Sequence, residues 1–178
     1  MRELKRALRK ELISRRKEIP QEEKLRRDKS VFEQLKPLME RASAVFIYVS
    51  TEIEVDTRAA IDFCLEKKIP IACPVSGDEE LEFFYINSTD ELVAGRYGIL
   101  EPKTRSRKAV EDENALCVVP ALMTDGRGYR LGYGKGYYDR FLSRFAGKSA
   151  VVCYSDFVGE VPAEPHDKRA DITITDKL

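Results

Sequence analysis

The chain has 178 residues, with 31 Lys or Arg, 31 Asp or Glu and a single His, so its formal charge is zero. That balance argues against a protein that works by blanket attraction to nucleic acid or to a membrane surface. One His and no Trp exclude a multi-histidine metal centre, and the length fits one domain, 1–178, in which hydrophobic residues are 43%.

In chain order, Leu4, Leu8 and Leu12 recur every four residues, so 3–18 reads as an amphipathic helix that Pro20 ends. A second helix starts near Glu22 and carries Leu25, Phe32, Leu35 and Met39 at helical spacing. The run 44–49 (AVFIYV) is short, continuous and β-branched or aromatic, as a strand buried on both faces requires. Asp56 or Thr57 can cap a helix bearing Ile61, Cys64 and Leu65. Strands follow at 69–74 and 81–86, the latter expected to be more exposed, and Ser88 with Glu91 has capping-box spacing. Residues 95–114 are polar and irregular. Another buried strand lies at 115–119, a turn at 125–128, a glycine-rich loop at 132–136, a helix at 136–145, and final strands at 150–154 and 171–175. Short buried strands alternating with helices predict an α/β fold of three layers, α/β/α, around a mostly parallel sheet.

Cys64, Cys73, Cys117 and Cys153 are widely spaced, which offers neither a zinc site nor a redox pair; they read as small buried side chains. The opening residues are charged throughout, unlike a signal peptide, and no apolar run reaches the roughly 18 residues of a membrane span. A cytoplasmic, soluble protein is the expectation.

The zero charge conceals segregation. Residues 1–41 carry 14 bases and 8 acids, 50–101 carry 4 bases and 12 acids, and 120–148 carry 6 bases and 2 acids. A neutral chain so arranged can hold a local anion site. The sequence at 130–139 is the best place for one: Arg130, Leu131, Gly132, Tyr133, Gly134, Lys135, Gly136, Tyr137, Tyr138, Asp139. Alternating glycines let the backbone approach a ligand and point its N–H groups one way, and Lys135 and Arg130 add full charges. Asp139 can hold a magnesium ion that bridges phosphate oxygens. The run is neither a Walker A loop nor a dinucleotide fingerprint. It can equally be a tight strand–helix turn.

Elsewhere the alternatives stay open. Lys5 and Arg9 lie one helical turn apart and can reach one polyphosphate or form a solvated face. Glu52, Glu54 and Asp56 follow a buried strand, where α/β sheets bind ligands, but they also suit capping and exposure. His166 has no nucleophile partner and reads as structural. Asp171 heads a strand as a metal carboxylate or a turn residue.

RLGYGKGYYDRFL (130–142), with EVDT (54–57), VPAEPHDKRAD (161–171), KRALRKEL (5–12) and VVPALMTDGRGYRLG (118–132), resembles the 5-formyltetrahydrofolate cyclo-ligase family over nearly the whole chain. The resemblance implies a Rossmann-like domain that converts 5-formyltetrahydrofolate to 5,10-methenyltetrahydrofolate with ATP and Mg2+, releasing ADP and phosphate. It further implies that Lys5, Arg9 and 130–138 bind ATP and that Lys135 acts on the transferred phosphoryl group. Val49, Glu54 and 133–137 would contact folate, and Asp139 and Asp171 would hold magnesium. Glu52 is a rival to Glu54. The partners implied are two small molecules, with no nucleic acid and no membrane, acting on a monomer. A sugar-phosphate isomerase or CoA-transferase relative, or an RNA-binding module using the basic first helix, are the competing readings.

Overall fold

A computed structural model describes residues 1–177. Its chain order is α1 (Arg2–Lys17), α2 (Gln21–Arg41), β1 (Val45–Ile47), α3 (Arg58–Lys67), β2 (Ile71–Ser76), β3 (Leu81–Ile86), β4 (Leu92–Ala94), β5 (Leu100–Pro102), β6 (Leu116–Pro120), β7 (Met123–Thr124), β8 (Arg130–Leu131), α4 (Tyr137–Leu142), β9 (Lys148–Cys153) and β10 (Ile172–Thr175). The first two helices and the strands of the central sheet fall where the apolar periodicity puts them, within a few residues.

Six strands form the central sheet in the order β10-β9-β6-β1-β2-β3. Every pair is parallel except β2 with β3. The apolar runs alternate between two cores because a strand sends successive side chains to opposite faces. Val45, Ile47, Leu116, Val118 and Val152 pack with Val31, Leu35 and Met39 of α2 and Ile61 and Cys64 of α3. Phe46, Cys117 and Val119 face the other way, towards Phe83 and Phe141. The rings of Phe46, Phe83, Phe141 and Phe145 pack at centroid distances of 4.7–6.1 Å, the range of favourable aromatic pairs. The layers are therefore unequal, with α1, α2 and α3 on one face and mainly α4 on the other.

Two expectations change. The strand β3 is at the sheet edge yet four of its six residues are buried. Residues 107–109 cover that edge: Tyr85 donates to the Arg107 carbonyl and Ala109 to the Phe83 carbonyl, so the open hydrogen-bonding groups are used. The polar stretch after residue 95 is not wholly irregular either. Strands β4 and β5 form a small antiparallel hairpin turned at Tyr97, whose φ is +61°.

All four cysteines are buried thiols, and burial pushes Cys64 and Cys73 up to about 12 and Cys153 to about 11. None is a nucleophile at neutral pH.

The turn between β7 and β8 depends on Gly128. Its φ is +88°, and a Cβ there would lie 2.3 Å from the Ala170 carbonyl oxygen. The Ala170 N–H donates to the Gly128 carbonyl, so neither segment can back away without losing this bond. Gly128→Ala should cost about 2 kcal/mol of stability. A thermal melt matching the parent would show that the turn relaxes freely.

Candidate functional site

Strand β1 leads on one side to β2 and β3, and the chain then crosses to the other side for β6, β9 and β10. Connections leave the carboxyl ends of β1 and β6 in opposite directions and open a crevice between them, as α/β sheets do at such a reversal. A cleft of about 1070 Å³ lies there, walled by Tyr48 and Val49 beyond β1 and Pro120 of β6. Helix α1 crosses one side, the β4–β5 hairpin another, and 130–140 forms the floor. Eight Lys or Arg residues line it against five Asp or Glu, so its local field favours a polyanion in a chain of zero net charge.

Arg9 of α1 lies across the glycine loop, its Nε donating to the Gly132 carbonyl at 2.8 Å. Gly134 has φ +96°, and a Cβ on it would stand 3.0 Å from the Arg9 guanidinium carbon. Glycine is thus required there twice over, by backbone and by neighbour. Lys135 is exposed and its Nζ stands 5.6 Å from the centre of the Tyr97 ring on the hairpin opposite. Behind the loop, Arg140 donates to the Lys135 carbonyl at 2.9 Å and to the Glu79 carbonyl at 2.6 Å. Tyr137 donates to the Gly77 carbonyl at 2.9 Å. The β2–β3 turn therefore braces the loop from outside.

The helix after the loop is shorter than the sequence predicts. It has six residues, 137–142, in place of 136–145, because Gly136 at φ +68° stays outside it and Ser143 ends it. So short a helix brings little macrodipole to an anion. The charge in this site comes from side chains and the backbone N–H groups of the loop.

Asp139 is half-buried. Its Oδ1 accepts from Arg130 Nη2 and from the Lys168 N–H, both at 3.0 Å. Arg130 also donates to the Lys168 carbonyl at 2.7 Å. Oδ2 of Asp139 has no hydrogen bond among the described residues and Asp139 lines the cleft, so one carboxylate oxygen remains for a cation. Asp171 is placed differently. It lies at the amino end of β10 and is absent from the cleft wall, and its Oδ2 accepts from the Ser149 N–H at 2.7 Å and the Ser149 hydroxyl at 2.8 Å. Among the described residues no three His, Cys, Asp or Glu side chains converge on a cation site. Magnesium does not demand such a cage, since it commonly takes one or two carboxylates and completes its shell with phosphates and water.

Burial separates Glu52 from Glu54. Glu52 points to solvent. Glu54 is 7% exposed and lines the cleft. Its Oε2 accepts from the Thr51 N–H at 2.7 Å and the Thr51 hydroxyl at 2.9 Å, leaving Oε1 for a donor on a ligand. The Tyr133 phenol stands nearby, and burial together with the Glu54 charge pushes it above its ordinary value. Val49 is buried in the same wall.

Lys5 is also in the wall, but it is not free. Its ammonium donates to Glu164 at 2.7 Å and Asp167 at 2.8 Å. Neither acid stood out from the sequence, and nothing in a sequence links residue 5 to residue 164. His166 between them is largely exposed.

The model of the 5-formyltetrahydrofolate cyclo-ligase family matches residues 1–176. A solved 5,10-methenyltetrahydrofolate synthetase from Aquifex aeolicus is 34% identical, superposes with a TM-score of 0.85, and is covered over 91% of its length by 98% of this chain. A 5,10-methenyltetrahydrofolate synthetase structure from Mycoplasma pneumoniae, 23% identical, shares the fold with a TM-score of 0.78 over 97% of this chain and 99% of that one. A probable 5-formyltetrahydrofolate cyclo-ligase of Schizosaccharomyces pombe is 28% identical over 158 residues, which are 78% of each chain.

The tie between α1 and 164–167 has a defined pH window. Burial works against the charges on Lys5 and Asp167, but their mutual hydrogen bond and attraction outweigh it. Lys5 is raised above its ordinary 10.5, and Glu164 and Asp167 fall below 4.5 and 3.8. The lysine's contribution is full below 10.5 and is lost as pH rises through its raised value. The acids' contribution is full above their ordinary values and is lost as pH falls through the lowered ones. An NMR titration should find Asp167 below its ordinary value and returning to it in Lys5→Met. An unshifted Asp167 in the parent protein would refute the pairing.

Proposed function

The chain belongs to the 5-formyltetrahydrofolate cyclo-ligase family, and from that membership we propose that it closes 5-formyltetrahydrofolate to 5,10-methenyltetrahydrofolate at the expense of ATP, with magnesium, through phosphorylation of the formyl oxygen. One observation carries the reading. A single cleft sets the ammonium of Lys135, which has no ion pair among the described residues, and the guanidinium of Arg9 over a glycine loop, with a buried carboxylate, Glu54, in the same cavity. The first group of features suits a triphosphate and the second suits the N–H donors of a pterin.

The chemistry follows from what the formyl group lacks. Its amide-like carbon is a poor electrophile and its oxygen a poor leaving group. Transfer of the γ-phosphoryl group breaks the bond to ADP and forms one to the formyl oxygen. Nitrogen 10 then attacks the formyl carbon, loses its proton, and the oxygen departs with phosphate. Such transfers need positioning and charge stabilisation more than a dedicated base. Lys135 neutralises the phosphoryl oxygens in flight. Arg9, Lys5 and the N–H groups of 130–138 hold the rest of the triphosphate. Arg130 keeps Asp139 oriented. Magnesium, when bound, supplies positive charge across phosphate oxygens. Asp139 would offer it Oδ2 from the cleft wall, and Asp171, outside that wall with one oxygen held by Ser149, would be the second carboxylate that family membership implies. Val49, Glu54 and 133–137 contact the folate.

Both substrate regions lie within one chain, which supports a monomer acting on small molecules, with neither nucleic acid nor membrane as partner. No described helix is long and apolar enough to cross a membrane. A cytoplasmic setting belongs to the same proposal.

Purified protein mixed with 5-formyltetrahydrofolate and Mg-ATP should generate the methenyl chromophore; none from folded protein overturns the reading. Lys135→Ala should lower kcat by about a hundredfold without unfolding the chain. Near-normal turnover would remove Lys135 from the mechanism. Asp139→Asn should raise the magnesium needed for half-maximal rate by about tenfold. Asp171→Asn should share that shift where Oδ1 serves the ion, and a normal magnesium response in it would leave Asp139 as the one protein ligand.

A further inference from the structure

The segment 53–55 presents three consecutive carbonyls, and each accepts a hydrogen bond from a side chain of a different element. Arg16 of α1 donates to the Ile53 carbonyl at 3.0 Å. The Tyr154 hydroxyl, just beyond β9, shares its single proton between Asp28 Oδ1 at 2.6 Å and the Glu54 carbonyl at 3.1 Å. Tyr48, just beyond β1, donates to the Val55 carbonyl at 2.8 Å. Arg16, Tyr48 and Tyr154 are 3%, 4% and 0% exposed, so these bonds are shielded from water. We propose that this three-point carbonyl clamp, with Arg16 at its centre, positions Glu54 for pterin recognition. The inference rests on the reading above that Glu54 faces the folate.

Two features separate the clamp from ordinary core bonding. First, Arg16 is a buried cation with no carboxylate partner among the described residues. Its Nη2 donates to the carbonyls of Ala121 and Leu122 at 2.7 and 2.9 Å and to Cys153 Sγ at 3.3 Å, and its Nε has no partner. A buried charge is costly, and neutral acceptors repay it only in part. A fold that needed only packing here would do as well with an apolar residue. The guanidinium is retained where its fork joins the Ile53 carbonyl to the end of β6, a bridge that a single-point donor cannot make. Second, Glu54 is a buried anion whose hydrogen bonds come from Thr51. Arg16 grips the carbonyl of the residue immediately before it.

The Tyr154 hydroxyl extends the clamp outwards. The Asp28 Oδ1 that shares its proton also accepts from the Asp56 N–H at 3.0 Å. The backbone on both sides of Glu54 is thereby fixed before any ligand arrives. Preorganised sites bind more tightly because less ordering remains to be done on binding.

The test measures direct binding, without turnover, of 5-formyltetrahydrofolate and of ATP separately. Tyr154→Phe keeps the ring and removes one donor. It should weaken folate binding by about fivefold and leave ATP binding unchanged. Arg16→Lys keeps the charge and loses the fork, and should weaken folate binding by about tenfold or more. In a Glu54→Ala background, Tyr154→Phe should make no further difference, since the carboxylate it positions is gone. An equal penalty in that background, or a parallel loss of ATP binding, would reduce the clamp to general structural support and overturn the inference. A parent protein that fails to bind 5-formyltetrahydrofolate would instead overturn the functional reading, and the inference with it. Should Arg16→Lys fail to fold, Tyr154→Phe and the double substitution still decide the matter.

Discussion

The buried guanidinium of Arg16 is the contact on which the site's architecture depends. Helix α1 is strongly charged, with Leu12 its one buried large apolar side chain. Hydrophobic burial alone would hold it weakly on the sheet. Arg16 replaces that missing area with four donor contacts into the carboxyl edge of the sheet, and Phe157 stacks 4.6 Å from its guanidinium carbon. The cost of burying the charge is offset by carbonyls that the strand ends leave without ladder partners. Once the carboxyl end of α1 is fixed there, its rigid geometry carries Arg9 and Lys5 out over the glycine loop, about two and three turns away. One helix thus links the Glu54 side of the cleft to the glycine-loop side.

The glycine loop is held as firmly as a helix but by different means. Gly134 and Gly136 take positive φ values that other residues resist, and Arg9, Arg140 and Tyr137 pin the loop to α1 and to the β2–β3 turn. Because α4 is only six residues long, oriented side-chain charge takes over the role that a helix dipole plays at longer phosphate-binding helices. Those charges are mostly tethered. Lys5 is shared between two carboxylates and Arg130 is committed to Asp139 and Lys168, while Lys135 carries its charge without an ion pair among the described residues. Of these cations Lys135 is the one free to move, as the proposed phosphoryl transfer would require.

The sheet and its helices were legible because their residues answer to local rules. Alternation in 44–49 and 115–119 places side chains on two cores, and four-residue spacing of leucines marks α1. The glycine loop was legible because few other arrangements use alternate glycines. What the sequence hid is long-range and polar. Glu164 and Asp167 meet Lys5 across more than 150 residues, and only the return of the chain after β9 brings them there. Arg16 looks like any surface arginine in a run of RRK, since a helical period marks a face without saying which charge on it will be buried. Glu52 and Glu54 share a face by strand periodicity, but 51–57 is a turn, so one is buried and the other exposed. The hairpin of β4 and β5 escaped notice because three-residue strands carry too few alternations to register.

A single histidine, largely exposed on the cleft rim, is consistent with how the remaining groups divide the work. His166 is largely exposed, and its ring stands 3.5 Å from Asp167. The buried polar groups in this cavity do something else. Arg16, Tyr48, Tyr154 and Asp28 touch main chain or one another and serve to hold Glu54 still. The exposed ones, Lys135 above all, face the space where a triphosphate fits. Burial therefore divides the charged residues between two roles. On the proposed reading, the rigid interior would read the folate by shape and hydrogen bonding, and the wetter rim would neutralise the triphosphate. That division suits a reaction in which the difficult step is bringing a phosphoryl group and a formyl oxygen into line, because the enzyme then needs one fixed partner and one adjustable charge more than it needs a proton carrier.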